Sequence, residues 1–129
     1  MRILFLGDVM GRSGREGLAA RLPALREAAR LDLVVVNAEN ATQGAGRSPD
    51  HAKAILAAGA DVITLGDHAF DQKDMAGFIE TEPRVLRPMN YARAAPGRGH
   101  GVFDAGRGRK ALVAQVLGRV FMKQPFADP

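Results

Sequence analysis

The chain has 129 residues, enough for one domain with a substantial core and too few for two domains of ordinary size. Hydrophobic residues make up 47% and charged residues 25%, as in soluble globular proteins, and no apolar run approaches the roughly 18 residues that span a bilayer. Cysteine is absent, which excludes disulfides, thiolate zinc sites and thiol catalysis. The N-terminal segment lacks the pattern of a signal peptide, so we expect a cytoplasmic protein with no membrane partner.

The first predicted elements are a strand and a helix. Residues Arg2 to Leu6 are apolar enough for a buried strand, and the glycine-containing "GDVMGRSG" follows. Ser13 and Glu16 have the S-x-x-E spacing of a capping box, which predicts the start of a helix. Pro23 lies inside the helical pattern, so we expect a kink or a break there. The apolar positions of the helix are Leu18, Leu22, Leu25 and Ala29.

Two more strand and helix pairs follow. Residues 33–36 and 62–65 are predicted strands, and the polar loop "NAENATQGAGRSPD" follows the first of them. Ser48 as N-cap, Pro49 at the first helical position and Gly59 after the last predict a helix between the two strands. Its expected buried residues are Ala52, Ile55 and Leu56, and a shorter helix at about 72–79 should bury Ala76 and Ile79. This alternation predicts an α/β fold, a parallel βαβαβ sheet with flanking helices.

The last third of the chain has a different character. A short strand is predicted at Val85 and Leu86, within a long loop rich in Pro, Gly and Arg. Residues 101–105 and 111–117 resemble two strands joined through "GRGR". The tail "RVFMKQPFADP" has no strong period.

Polar side chains follow each of the first three predicted strands. They are Asp8 after the first, Glu39 and Asn40 after the second, and Asp67 and His68 after the third, in the stretch "LGDHAFD" that also contains Asp71. Ligands bind outside the carboxyl ends of the strands in open parallel sheets, so these side chains are expected at one rim. Their oxygen atoms suit hard cations, and a divalent metal would neutralise the crowded carboxylates.

Each of these residues also has a simpler interpretation. A single Asp after a strand is more often a helix N-cap, Glu39 alone could be solvated, and His68 alone could be an ordinary polar side chain. The three strand ends taken together favour a site. The glycines of "GDVMGRSG" do not fit G-x-G-x-x-G, and no P-loop motif occurs, which argues against a nucleotide-binding Rossmann domain.

The charge of the chain leaves two alternatives open. The formal charge of +4 fits nucleic acid or phosphorylated ligands, but also a compositional bias towards Arg. The segment "APGRGHG", with His100, is either a phosphate-binding loop or a Pro/Gly surface turn.

The sequence resembles the YmdB-like metallophosphoesterases, a bacterial branch of the calcineurin-type dimetal phosphoesterases. The matching stretches are "RILFLGDVMGRSGRE", "NAENATQGAG", "DVITLGDHAFDQK", "RVLRPMNY", "PGRGHGV" and "GRVFM", in family order. The resemblance implies half of a metallophosphoesterase sandwich. It also implies hydrolysis of 2',3'- or 3',5'-cyclic nucleotides or similar small phosphodiesters with two divalent metals, Mn or Fe ahead of Zn or Mg.

The resemblance also implies roles for individual residues. Asp8 matches the carboxylate of the first metal, Glu39 the carboxylate that bridges both metals, and Asn40 a further ligand. Asp67 stands where the family usually has the Asn of its "GNH" signature, as a metal ligand, and His68 matches the catalytic His.

The length departs from the family pattern. Family members are about twice as long, and their remaining metal ligands are His residues in the second half, whereas this chain has only His51, His68 and His100. Residues 1–129 are therefore expected to form a single, incomplete metallophosphoesterase domain with uncovered apolar surface, completed by a missing C-terminal half that also supplies the second sheet, or by a second chain. The alternatives are a non-catalytic module that binds a nucleotide or a protein, and a basic RNA-binding protein.

Overall fold

A parallel four-stranded sheet forms the centre of the computed structural model, which describes residues 1–41, 48–120 and 122. Its strands, in spatial order, are β1 (Ile3–Leu6), β2 (Leu33–Asn37), β3 (Val62–Thr64) and β4 (Val85–Leu86). The helices between them are α1 (Gly11–Ala28), α2 (Pro49–Ala57) and α3 (Met75–Thr81). A two-stranded antiparallel sheet follows, made of β5 (His100–Asp104) and β6 (Lys110–Ala114). The predicted α/β fold is confirmed.

Both faces of the central strands β2 and β3 are covered, which explains their continuous apolar runs. One face of β2 and β3, with Val34, Val36 and Ile63, packs on the three helices. The opposite face packs on the hairpin of β5 and β6, and its residues are Leu33, Val35, Val62, Leu86, Phe103, Ala111 and Val113. None of the helices in the described ranges is long and apolar enough to cross a membrane.

The hairpin corrects one expectation and leaves another in place. The second sheet was expected from a missing half, yet the two strands predicted in the last third, β5 and β6, already form a small one in this chain. The hairpin covers β2 to β4 but leaves β1 open, because Ile3 is 46% and Phe5 60% exposed. The expected uncovered apolar surface is thus present. It continues on the outer face of the hairpin, where Val102 and Leu112 pair across the strands and are both exposed.

The start of α1 differs from the sequence-based prediction. The helix begins at Gly11, and its N-cap residue Met10 makes no side-chain capping bond, so the predicted capping box does not form. The amide of Gly11 donates instead to the carbonyl oxygen of Asn40 at 2.9 Å. Glu16 accepts a hydrogen bond from Arg12 one turn earlier, at 2.6 Å. A tertiary contact therefore satisfies the helix end that a local motif was expected to satisfy.

Pro23 does not break α1, so of the kink or break expected there the break does not occur: the helix runs through 18 residues. The ring of Pro23 is exposed, while Leu18 and Leu22 on the opposite side are buried and hold the helix to the sheet. Packing thus outweighs the intrinsic cost of proline inside a helix.

We predict that Pro23→Ala stabilises the protein by about 2 kcal/mol. The substitution restores an amide that can donate within the helix, and the lost rigidity of the unfolded chain offsets only part of that gain. Thermal unfolding should show a midpoint roughly 6 °C higher. Pro83→Ala, outside the helices, is the control and should show no such rise. Equal midpoints for the Pro23 variant and the wild type would contradict this account.

The remaining elements follow the prediction with small shifts of their ends. Ser48 accepts a hydrogen bond from the His51 amide at 3.4 Å, Pro49 begins α2, and Gly59 adopts φ +111° after its end, as expected. The helix α3 begins at Met75 rather than near residue 72, and it buries Met75 and Ile79 while Ala76 is only half-buried. The strand β6 ends at Ala114, three residues earlier than expected. The centre of the polar loop and most of the tail lie outside the described residues.

Candidate functional site

The carboxyl ends of β1, β2 and β3 meet at one edge of the sheet. Leu6 pairs with Val36, and Asn37 pairs with Thr64, so the three strands end nearly level. After each of these strands, the chain leaves the sheet within three residues. The structure therefore brings the loops that carry Asp8, Glu39 and Asp67 to the same rim, as the sequence predicts.

Asp8 and Asn40 form a direct pair on this rim. The side-chain amide of Asn40 donates to Asp8 Oδ1 at 2.8 Å. Asp8 has φ +49°, in the left-handed region that Asp tolerates better than most residues. The amide of Val9 donates to the carbonyl oxygen of Asn37 at 3.0 Å, which fixes the turn after β1 against β2. The backbone thus holds the exposed Asp8 carboxylate beside the loop of Asn40 and Glu39.

Glu39 carries a buried oxygen atom that lacks a partner. Its Oε2 is buried and makes no hydrogen bond within the described part of the chain. A Cβ atom at position 66 would lie 1.5 Å from this oxygen, so a larger residue there would displace the Glu39 carboxylate. Burial, and then the negative charge of Asp67, raises the pKa of Glu39. A carboxylate with one buried oxygen atom that lacks a partner favours a proton or a cation beside that oxygen.

His68 lies between two carboxylates. Its Nδ1 is 2.7 Å from Asp71 Oδ2, and its Nε2 is 3.9 Å from Asp67 Oδ2. The hydrogen bond with Asp71 is the main cause that raises the pKa of His68, and the charge of Asp67 adds to it. Asp71 therefore fixes one ring nitrogen and leaves Nε2 on the side of Asp67 to exchange a proton. The sequence placed Asp71 next to this site without assigning it a role.

Tyr91 was not predicted as a site residue, although it ends the family-like stretch "RVLRPMNY". Its hydroxyl donates to the carbonyl oxygen of Asp67 at 3.0 Å, and the carbonyl oxygen of Gly66 lies 3.3 Å away. Its ring meets Phe70 edge to face, with centroids 5.5 Å apart. Burial, followed by the charge of Asp67, raises the pKa of Tyr91 to about 12. Tyr91 thus stays a neutral donor that anchors the loop of Asp67 and His68.

The predicted metal ligands are of the right chemical type but do not complete a cluster. Asp8 acts on Glu39 electrostatically, as Asp67 and His68 do. Even so, no three His, Asp or Glu side chains among the residues described are placed to hold a metal ion by themselves. His51 lies in the first turn of α2, and His100 begins β5, where it lines a different cavity. The rim thus offers oxygen donors and an orphaned carboxylate, which fit part of a metal site.

Two solved structures agree on the fold, and a curated relative matches the chain over the same extent. The chain is 36% identical over 129 residues to a 2',3'-cyclic-nucleotide 2'-phosphodiesterase of Bacillus subtilis, with 100% of this chain and 48% of that protein covered. A crystal structure of a hypothetical protein from Thermus thermophilus matches with a TM-score of 0.92 and 40% identity, covering 100% of this chain and 49% of that one. A structure described as a novel phosphatase, from Mycoplasma pneumoniae, matches with a TM-score of 0.86 and 34% identity, covering 98% and 47%.

The matched region spans about half the length of each of these relatives. Within this chain, however, the match is nearly complete, because the model of the YmdB-like protein family aligns with residues 4–129. The chain therefore belongs to the YmdB-like family of proteins.

Proposed function

We propose that this chain forms part of a metal-dependent phosphodiesterase that hydrolyses 2',3'- or 3',5'-cyclic nucleotides or similar small phosphodiesters. The proposal is supported by the name of the Bacillus subtilis relative, a cyclic-nucleotide phosphodiesterase. The observation that carries it is the orphaned Oε2 of Glu39, buried at the rim where Asp8, Asn40 and Asp67 also lie. An uncompensated carboxylate among further oxygen donors is an arrangement that a cation would stabilise.

Two divalent metals, Mn or Fe ahead of Zn or Mg, would be held by Asp8, Glu39, Asn40 and Asp67. When bound, such ions lower the pKa of a water molecule and polarise the phosphoryl group. The donor set is hard and anionic, which suits these ions. Glu39 would contribute its carboxylate to both ions, which is the role that the resemblance to the family implies.

His68 would act as the general acid. Its Nε2 carries a proton that moves to the leaving alkoxide oxygen as the phosphorus–oxygen bond breaks, and the imidazole becomes neutral until solvent protonates it again. Asp71 holds Nδ1 at 2.7 Å, so the ring keeps its orientation through this transfer. Tyr91 fixes the backbone that carries His68, because its hydroxyl binds the carbonyl oxygen of Asp67.

A complete metal site at the rim would need further ligands from outside residues 1–129. Three carboxylate or imidazole ligands do not converge within the described ranges, and the chain spans about half the length of its relatives. We propose that the site is completed by a second chain or by a further segment of the protein. Residues 1–129 then form one incomplete metallophosphoesterase domain.

Metal binding and hydrolysis test this function together. The wild-type chain, purified without chelator together with the segment or second chain that completes the site, should contain Mn or Fe by elemental mass spectrometry and should hydrolyse 2',3'-cyclic AMP when Mn is added. Asp8→Ala should lose both properties. The control is Asp50→Ala, which removes an exposed carboxylate on α2 and should keep both.

Other outcomes favour the other candidate functions. Nucleotide binding without turnover, in a protein free of metal, would indicate a binding module. Affinity for RNA that falls steeply with salt and survives loss of Asp8 and Glu39 would indicate an RNA-binding protein.

A further inference from the structure

A second cavity, unlike the acidic rim, is basic. It has a volume of about 610 Å³ and lies between the loop after β4 and the start of β5. The polar residues that line it are Arg87, Arg93, Arg98 and His100, together with Met89 and several glycines. No Asp or Glu belongs to this lining. The segment that contributes Arg98 and His100 is the "APGRGHG" stretch whose role the sequence left open.

Close backbone contacts build the wall of this cavity. The amide of Arg87 donates to the carbonyl oxygen of Arg98 at 2.9 Å, and the amide of Met89 donates to that of Gln115 at 2.6 Å. A Cβ atom at position 99 would lie 2.5 Å from Met89 Cα, so only glycine permits this approach. The two segments are thus held together by the fold, and the cavity lies open to solvent between them.

Arg87 is a buried cation that lacks a carboxylate partner. It is only 8% exposed, and its guanidinium donates to the carbonyl oxygens of Pro88 at 2.9 Å, Pro96 at 3.2 Å and Ala95 at 3.4 Å. Within the ranges that the structure describes, it makes no ion pair. The carbonyl groups accept the hydrogen bonds of the Arg87 guanidinium but do not neutralise its positive charge. That charge raises the electrostatic potential of the cavity that it lines.

Arg93 and Arg98 add two exposed cations. Their side chains make no ion pair or hydrogen bond with other described residues, whereas Arg26, Arg84 and Arg109 each meet a carboxylate. Unpaired arginines around one cavity favour a ligand with negative oxygen atoms, because guanidinium matches phosphate in a bidentate manner. Met89 is 48% exposed in the same lining and offers an apolar contact to a base.

The cavity is next to the proposed catalytic rim. Arg87 directly follows β4, which pairs in parallel with β3, so it leaves the same edge of the sheet as Asp67 and His68. Neighbouring strands are about 5 Å apart. The loop between Arg87 and Arg93 also carries Tyr91, whose hydroxyl binds the carbonyl oxygen of Asp67. The loop that lines the cavity therefore also contacts the rim.

We propose that this cavity binds a phosphate group of a single-stranded oligonucleotide. Its use during hydrolysis rests on the function proposed above, with the reacting phosphodiester at the rim and a second phosphate between Arg93 and Arg98. The substrate class would then be short nucleic acid chains rather than mononucleotides alone. With one Tyr and no Trp in the chain, recognition depends on phosphates more than on base stacking.

Binding can be measured apart from catalysis. Fluorescence anisotropy of a fluorescein-labelled octathymidylate, in EDTA to prevent turnover, compares the wild type with the double variant Arg93→Ala/Arg98→Ala. We expect affinity to fall about tenfold, and the slope of log K against log salt to become shallower by about 0.7, as for one lost phosphate contact. Both side chains are exposed, so the variant should fold. Arg21→Ala, on the exposed side of α1, is the control for one lost charge.

The proposal is overturned if the double variant binds like Arg21→Ala, or if the salt slope stays that of the wild type. A second assay compares 2',3'-cyclic AMP with a short RNA that ends in a 2',3'-cyclic phosphate. The double variant should raise KM about tenfold for the RNA only, with kcat unchanged. If the wild type hydrolyses neither substrate, the proposed function fails, while the anisotropy result still decides whether the cavity binds nucleic acid.

Discussion

Glu39→Gln is expected to abolish metal-dependent phosphodiester hydrolysis and, at the same time, to stabilise the metal-free protein. The carboxylate would bridge the metals, and loss of several kcal/mol of charge stabilisation corresponds to a decrease in kcat of about a thousandfold. In the absence of metal the same carboxylate lowers the stability of the fold, because its Oε2 is buried without a partner. A neutral amide of the same size carries no charge to desolvate, so the free energy of unfolding should rise by about 1 kcal/mol, a low value because the side chain is only half-buried.

The measurement is a pair of assays on the same preparations. Hydrolysis of 2',3'-cyclic AMP with Mn gives the loss of activity, and thermal unfolding in EDTA gives the gain in stability. Glu80→Gln removes a carboxylate on the exposed side of α3 and should change neither property. A Glu39 variant that is less stable than the wild type in EDTA would mean that the carboxylate serves the fold rather than a cation.

Substitution of Asp71 should affect substrates according to their leaving groups. Asp71 holds Nδ1 of His68 at 2.7 Å, so Asp71→Asn leaves the imidazole poorly oriented to deliver its proton. We expect kcat for 2',3'-cyclic AMP to fall roughly 10–100-fold, as for other residues that position a catalytic group. His68→Asn should cost roughly 100-fold or more, because it removes the acid itself. Hydrolysis of bis(p-nitrophenyl) phosphate should change much less, since p-nitrophenolate leaves without a proton.

The difference between the two substrates distinguishes a positioning role of Asp71 from a structural one. A general loss of structure would lower the rates of both substrates by the same factor. Asp74→Asn, three residues further on and exposed, is the matched control because its side chain caps no helix amide. Equal losses for the two substrates in Asp71→Asn would show that Asp71 does not act through His68.

The elements that the sequence predicted well are those with local physical signals. The helix α2 begins at Ser48 and Pro49 and ends before Gly59, and each of these residues acts through its own backbone preference. The strands β2 and β3 were recognisable because burial on both faces requires continuous apolar runs. The position of Asp8, Glu39 and Asp67 at one rim followed from the same reasoning, since parallel strands end at one edge of their sheet.

The elements that the sequence missed depend on contacts between distant segments. The capping box of Ser13 and Glu16 failed because the carbonyl oxygen of Asn40 already accepts from the first helical amide. Pro23 stays helical because the side of α1 opposite to it is buried, and packing energy exceeds a local propensity. Neither outcome is encoded within a few residues of the place where it occurs.

The α/β order of elements, the family and the residue types at the rim all follow from the sequence alone. Three features emerge only from the folded chain: Glu39 has an oxygen atom without a partner, Asp71 holds His68, and Arg87, Arg93 and Arg98 surround one cavity. The physical reason is that burial and charge depend on neighbours in space. Gly66 makes room for Glu39 from 27 positions away, and Gly99 brings Arg98 against the loop of Met89. Local sequence patterns determine which functional groups are present. The packing of the helices, the sheet and the hairpin determines which of these groups come into contact.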